Sequence, residues 1–324
     1  MRSGLPLEHE VAKLLADEGM YVEADHSFFR KEGTIYKEWS SDLTADWYSA
    51  PDRLSVEFKL SMLIECKYRS PEKSILLLED PNSEMPLGTA GGTLIAFDHH
   101  VPFQLNIDSI IQFENKMPYA YKAIELHEGG AHEEDIRHGM QQLKYGSISS
   151  LKDNIEFSYF SHPEDMTPFF FCRILVTNSP IRVLNRDVGL TEIRNSNEYG
   201  EISHSVDFAI FYSSLGPDFF EHCQEAFRKD SNELLVAAKS IAARTQYEGK
   251  IRNYKTDAKE FVEDLVESQR WILQNLFCQS FIVNFDKLPK FLEILKLAAS
   301  KSYKRRKLPK KIRTKKSAKP ITPE

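Results

Sequence analysis

Glu65 and Lys67 stand two residues apart in the stretch SMLIECKYRS, directly after the apolar run Met62-Leu63-Ile64. Residues two apart on a β-strand project from the same face, so a carboxylate and an ammonium share one side of a strand composed for burial. Buried charge is costly without compensation. An ion pair, a solvated edge, or a bound metal with its substrate would each supply it. If residues 42–48 pair with 60–67 as a hairpin, Asp42 lies beside Glu65. On an alternating strand Glu38, Asp42 and Asp46 share a face, and a first helix packed on the sheet would bring Glu8 to the same place. Three carboxylates offer only oxygen, the donor that suits a hard divalent cation such as Mg²⁺ or Mn²⁺. Such an ion neutralises charge on a phosphodiester and lowers the pKa of bound water, so that hydroxide can attack in line. Lys67 would orient that water or stabilise the pentavalent oxyanion.

The elements that must position these side chains are legible from periodicity. Residues 5–18 predict a helix with Leu7, Val11, Leu14 and Leu15 on one stripe and Gly19 as its stop, and they set Glu8 beside that stripe. Residues 20–29, 34–49 and 54–69 predict three antiparallel strands, with turns at Glu32-Gly33 and Pro51-Asp52. Residues 79–130, rich in Pro, Gly and His, read as an irregular insertion. A helix is expected over 132–146. The almost wholly apolar PFFFCRILVTN (168–178) is expected as a strand buried on both faces, with another strand over 205–214. Helices follow at 231–246, 257–277 and 288–300, the second opening on a capping box at Asp257 and Glu260. SFIVNF (280–285) reads as an edge strand between them. The order implies a mixed α/β sheet with a C-terminal helical portion.

Composition bounds the class. The chain has 324 residues, 41% hydrophobic and 28% charged, with no apolar run long enough to span a bilayer. Four scattered cysteines without a CxxC pair argue against structural zinc and for free thiols in a reducing cytoplasm. Residues 301–324 hold 11 of the 42 Lys and Arg and one acid, a net of +10; the other 300 residues hold 31 bases against 47 acids, a net of −16. The basic tail, concentrated in 301–319, reads as disordered and suited to nucleic acid or an acidic partner.

The succession LEHEVAKLLADEGM, SSDLTA, LIECKYRS, a glutamine-bearing helix and FFCRILVTNS resembles the PD-(D/E)XK nuclease superfamily over about residues 5–215. The resemblance implies a restriction-endonuclease-like mixed sheet (αβββαβ core) over 1–215; the helical portion over 216–300 and the basic tail over 301–324, read from periodicity and charge, lie outside it. It implies Glu8, Asp42 and Glu65 as metal ligands, and Glu65-x-Lys67 as the E-x-K signature. Gln141 and Tyr145 in QQLKY match the Q-x-x-x-Y motif, which helps hold metal-bound water or the DNA backbone. The activity implied is Mg²⁺- or Mn²⁺-dependent hydrolysis of DNA, in a setting of bacterial defence against foreign DNA. One site per chain implies a homodimer for double-strand cutting.

Rival readings stand beside these. Asp46 competes with Asp42, which follows Ser rather than Pro; the literal Pro51-Asp52 falls in the expected turn. Glu57-x-Lys59 is a second E-x-K, read as a solvated hairpin face. His127, His132 and His138 fall on different faces of a helix, and GTAGGT (88–93) lacks the Gly-Lys-Ser/Thr of a phosphate loop. The acidic body favours an alternative in which a catalytically silent nuclease fold serves nucleic-acid or protein binding.

Overall fold

The computed structural model describes residues 5–50, 56–70, 72–81, 92–98, 101–107, 117–127, 130–132, 134–157, 167–196, 198–223, 225–226 and 277–307. The expected helices at 231–246 and 257–277 and the Pro51-Asp52 turn lie outside these residues, except Phe277.

Helix α1 spans Leu5–Asp17 and buries Leu7, Val11 and Leu15. It stops at Gly19, whose φ of 78° places it in the left-handed region that glycine adopts without a Cβ penalty. Strands β1 (Tyr21–Glu32), β2 (Ile35–Ser49) and β3 (Phe58–Lys67) follow as an antiparallel meander. Glu32 pairs with Ile35 across a two-residue turn that opens on Gly33 at φ 64°.

The expected insertion is largely sheet. It contributes β5 (Thr93–Asp98), β6 (Val101–Asn106), β7 (Tyr119–His127) and β8 (Gly130–His132), after β4 (Ser74–Glu79). Strands β5 and β6 form one hairpin and β7 and β8 another, but β5 also joins β9 and β7 joins β4 and β12, non-local pairings that periodicity along one segment does not reveal. Helix α2 spans Glu134–Glu156, ten residues beyond its expected end, because Gly146 packs on the sheet instead of stopping the helix. Strand β9 (Phe169–Thr177) is buried at every residue, as expected. The chain then adds β10 (Ile181–Leu184), short helices α3 (Leu190–Asn195) and α4 (Tyr199–Ile202), β11 (Ser203–Val206) and β12 (Phe208–Tyr212), so that the strand expected over 205–214 is broken at Asp207. Last come β13 (Gln279–Asn284) and helix α5 (Leu288–Lys307).

Among the described residues thirteen strands form one mixed sheet, ordered β1-β2-β3-β9-β13-β12-β7-β4-β10-β11 along its main path. Strand β9 runs parallel to both β3 and β13. The expectation of an edge strand at 280–285 is therefore corrected: β13 lies inside the sheet, between β9 and β12, and its first five residues are buried. The sheet separates two apolar layers. One holds α2 with Leu63, Phe171, Leu175 and Ile282. The other holds Leu7, Val11 and Leu15 of α1 and Leu288, Phe291, Leu292 and Leu295 of α5, against Ile64, Cys66, Ile174 and Val283. The result is helix, sheet and helix in three layers. The start of the basic tail is also corrected, since 301–307 belong to α5, with Ser302 buried and Tyr303 stacked on Phe58 at 5.1 Å. No helix among the described residues is long and apolar enough to cross a membrane.

Buried Arg173 on β9 fixes the approach to β13. Its guanidinium donates from Nε to the Gln279 carbonyl at 3.1 Å and from Nη2 to the Phe277 carbonyl at 2.7 Å. Burial pulls its pKa down to about 10.

Candidate active site

Strand β3 ends its apolar run at a fork. Pairing of β2 with β3 stops at Leu43↔Ile64, while β3 continues beside β9 as far as Lys67↔Thr177. At the fork, Asp42 Oδ2 accepts from the Cys66 backbone N–H at 2.6 Å, taking the place of a ladder partner. Strand β2 turns over here. Its pairing with β1 skips Asp25 and Asp42, and Asp25 holds a φ of 55°, a left-handed conformation that aspartate tolerates better than most side chains. Beyond the irregularity Ser41 and Trp39 pack on the α2 side, although Leu43 packs with α1. Such a re-aiming of side chains is what a break in a strand ladder does. Strict alternation therefore fails, and Glu38, expected on the Asp42 face, is exposed.

Glu65 is 1% exposed. Its Oε1 accepts from Lys67 Nζ at 2.6 Å, while Oε2 is buried without a hydrogen-bond partner. Burial raises its pKa to about 7; Lys67 opposes the shift and the Asp42 charge adds to it. Burial also raises the Asp42 pKa, against the Cys66 N–H and Lys67, and Asp25 pushes it further up. Glu8 is raised by burial and then by Asp42 and Asp25. The charges of Glu8, Asp42, Glu65 and Lys67 thus act on one another through Asp42, and Asp25 joins them. They do not close into a ligand trio: among the described residues no group of three His, Cys, Asp or Glu could hold an ion by itself. Glu8 reaches the fork from the α1 layer, whereas Glu65 and Lys67 face α2.

Lys67 is positioned from α2. A Cβ on Gly139 would stand 2.6 Å from Lys67 Cε and 3.3 Å from Glu65 Cγ, so the bare helix backbone roofs the E-x-K. Gln142 Oε1 accepts from Lys67 Nζ at 3.3 Å, and its Nε2 donates to the Ser40 carbonyl at 2.8 Å, bridging β2 and β3. The glutamine on Lys67 is therefore Gln142, not Gln141. Gln141 lines a cavity beside Lys144. Tyr145 is buried and donates to Asp218, with the Arg30 guanidinium 3.7 Å above its ring, so it fastens β1 to residues 217–223. One residue is about 100° of helix, so Gln142 faces Lys67 and its neighbour Gln141 faces the cavity. The signal was Gly139 and Gly146, three residues before Gln142 and four after it, marking the sheet-facing stripe.

Asp46 is answered too. It pairs opposite Ser61, four residues or about 13 Å along the strand from Asp42, and accepts from Lys59 Nζ at 3.2 Å and Tyr48 Oη at 3.4 Å. Lys59 is 4% exposed and lies 4.4 Å over the Phe157 ring. The second E-x-K is thus half of a buried ion pair and not a solvated face. Cys66 points into the α1 layer, away from Glu65 and Lys67, and all four cysteines are free and buried.

The donor set fits a hard cation. Two carboxylates flank the fork and one buried oxygen, Glu65 Oε2, lacks a partner. Mg²⁺ is ordinarily held by one or two carboxylates, with water and phosphate completing its shell.

The raised pKa makes a stability prediction. The folded chain keeps the Glu65 proton up to about pH 7, whereas the unfolded chain releases it near 4.5. The Glu65 contribution is therefore complete below about pH 4.5 and is lost as pH rises through about 7, a change of about 3 kcal/mol. Urea unfolding of wild type and Glu65→Gln between about pH 5 and about pH 8 should show the wild type losing stability relative to the variant. Added Mg²⁺ should restore it at the upper end.

No family model matches the chain, and neither a curated protein nor a solved structure is similar to it. Geometry alone defines the class, a mixed α/β protein with a charged fork at the carboxyl end of β3.

Proposed function

We propose that the chain is a divalent-metal-dependent nuclease that hydrolyses DNA phosphodiester bonds at the fork between β2 and β3. The observation that carries this reading is the buried Glu65 carboxylate with one oxygen on Lys67 and the other unpartnered, beside Asp42. With β4 to β8 interposed before α2, the order of α1, a three-strand meander, α2 and a strand parallel to β3 supports a restriction-endonuclease-like core.

Asp42 and Glu65 would hold Mg²⁺ or Mn²⁺, with Glu8 and Asp25 adding negative charge behind them. The ion, when bound, would polarise a phosphoryl oxygen and acidify a water. Lys67, kept in place by Glu65 Oε1 and Gln142, directs its remaining N–H toward the attacking water or the oxygen that gains charge. Glu65 must be ionised to act as a ligand, so activity rises with pH through about 7.

A catalytically silent module for nucleic-acid or protein partners is the second reading. The Lys67–Glu65 pair favours it, because the ammonium already neutralises the carboxylate that a metal would need. The deciding experiment incubates the full chain with supercoiled plasmid and Mg²⁺ or Mn²⁺, against EDTA. Nicking or linearisation only with metal is expected. Intact plasmid under every metal condition would remove the catalytic reading and leave the module.

A further inference from the structure

Helix α2 has a second functional flank. At about 100° per residue, Arg137, Gln141 and Lys144 lie about half a turn round from Gly139 and Gln142, which face Lys67. There they line a cavity of about 340 Å³ with Lys122 of β7 and with Ser213 and Ser214 just after β12. Three of the lining residues are cations and none is a carboxylate. Lys144 is half-buried, and its Nζ donates to the Ser214 carbonyl at 3.3 Å. Burial lowers its pKa, with Asp218 opposing. Cations gathered in a walled concavity focus positive potential there, and this lies within a body whose overall charge is strongly acidic. Guanidinium, ammonium, amide and hydroxyl are the donor types that contact phosphate oxygens in nucleic-acid complexes.

We propose that this cavity binds a backbone phosphate of the nucleic-acid strand cut at Glu65, so that the strand crosses the N-terminal half of α2. This rests on the nuclease reading for the identity of the strand. The two sites stand on opposite sides of one helix, about 10 Å apart, a span that a nucleic-acid backbone covers in a few nucleotides. The cavity supplies affinity that the acidic body otherwise opposes, and it reads charge, not sequence.

The test measures fluorescence anisotropy of a labelled DNA duplex with the full chain, without divalent metal, over a salt series. The proteins are wild type, Arg137→Gln and Arg137→Gln/Lys144→Gln. Arg137 is exposed, so its single variant keeps the test valid should the double variant fold poorly. The double variant should bind at least about tenfold more weakly, with a log–log salt slope smaller by about 1.8, from two contacts at ~0.9 each. Arg137→Gln should show about half of that slope change. A second arm follows thermal unfolding with inorganic phosphate or a nucleoside monophosphate. Stabilisation lost in the double variant while DNA binding stays unchanged would overturn the backbone source and assign a free-phosphate site. Unchanged DNA affinity and slope with no phosphate response would overturn the site altogether. Plasmid left uncut by a wild type whose DNA binding depends on Arg137 and Lys144 would remove the catalytic reading while the cavity stands.

Discussion

Lys67→Ala is expected to lower metal-dependent plasmid cleavage by at least about 10²–10³-fold, since it removes a donor aimed at developing charge and also favours the protonated Glu65 that cannot hold the ion, while far-UV circular dichroism and the unfolding midpoint stay near wild type. The fold survives because Glu65, deprived of its ammonium, takes up a proton instead of remaining a buried unpaired anion; its pKa already stands near 7 with Lys67 present. The companion variant Gly139→Ala separates position from presence. Its methyl would fall 2.6 Å from Lys67 Cε, the flexible end of a side chain that can swing away. Alanine also favours a helix interior by about 1 kcal/mol over glycine. Gly139→Ala should therefore be folded and stable yet lose cleavage, by up to about 10²-fold for a displacement near 1 Å. If Lys67→Ala cleaves plasmid as wild type does, the E-x-K has no catalytic part. If Gly139→Ala is fully active, the helix roof does not position Lys67.

The largest expected effect on stability is at Arg173. Removing the guanidinium by Arg173→Ala leaves the carbonyls of Phe277 and Gln279 without their donors and opens a cavity among fully buried neighbours. A loss of about 3–5 kcal/mol follows, read from the urea midpoint at constant slope. Arg173→Met, which fills more of the space, should recover part of the packing loss but none of the hydrogen-bond loss. A midpoint shift below about 1 kcal/mol in Arg173→Ala would show that the contacts with residues 277–279 contribute little.

The sequence disclosed the local parts of this molecule. The elements that carry Glu8, Asp42, Glu65 and Lys67 are legible because their period is plain over a short window, and the hairpin register that sets Asp42 beside Glu65 follows from Leu43 and Ile64 facing one layer. Strand β9 was legible for the same reason, being apolar throughout. What stayed hidden was non-local. Asp25 enters the site through a left-handed residue in mid-strand, and no spacing rule announces that. The same break sends Glu38 to solvent, so regular alternation misplaced it. Gln141 and Tyr145 matched a motif, but the rotation of α2 is set by Gly139 and Gly146 against Lys67 and Phe28, contacts made across the fold. Strand β5 finds β9 and strand β7 finds β12 far away in the chain, and the composition of this stretch alone suggested an insertion. The place of β13 was hidden likewise: six apolar-rich residues look the same at a margin and at a centre.

That place of β13 has a consequence for biosynthesis. Without it, β9 lacks a neighbour along 174–177 and β12 lacks one along its length, so the sheet is two separate pieces with open rims. The ribosome delivers this keystone after nearly everything it joins. A nascent chain must therefore carry two unfinished halves, both prone to sticking to other chains, until Gln279–Asn284 has been made. Products truncated before Gln279 should accumulate in inclusion bodies and not as smaller folded chains.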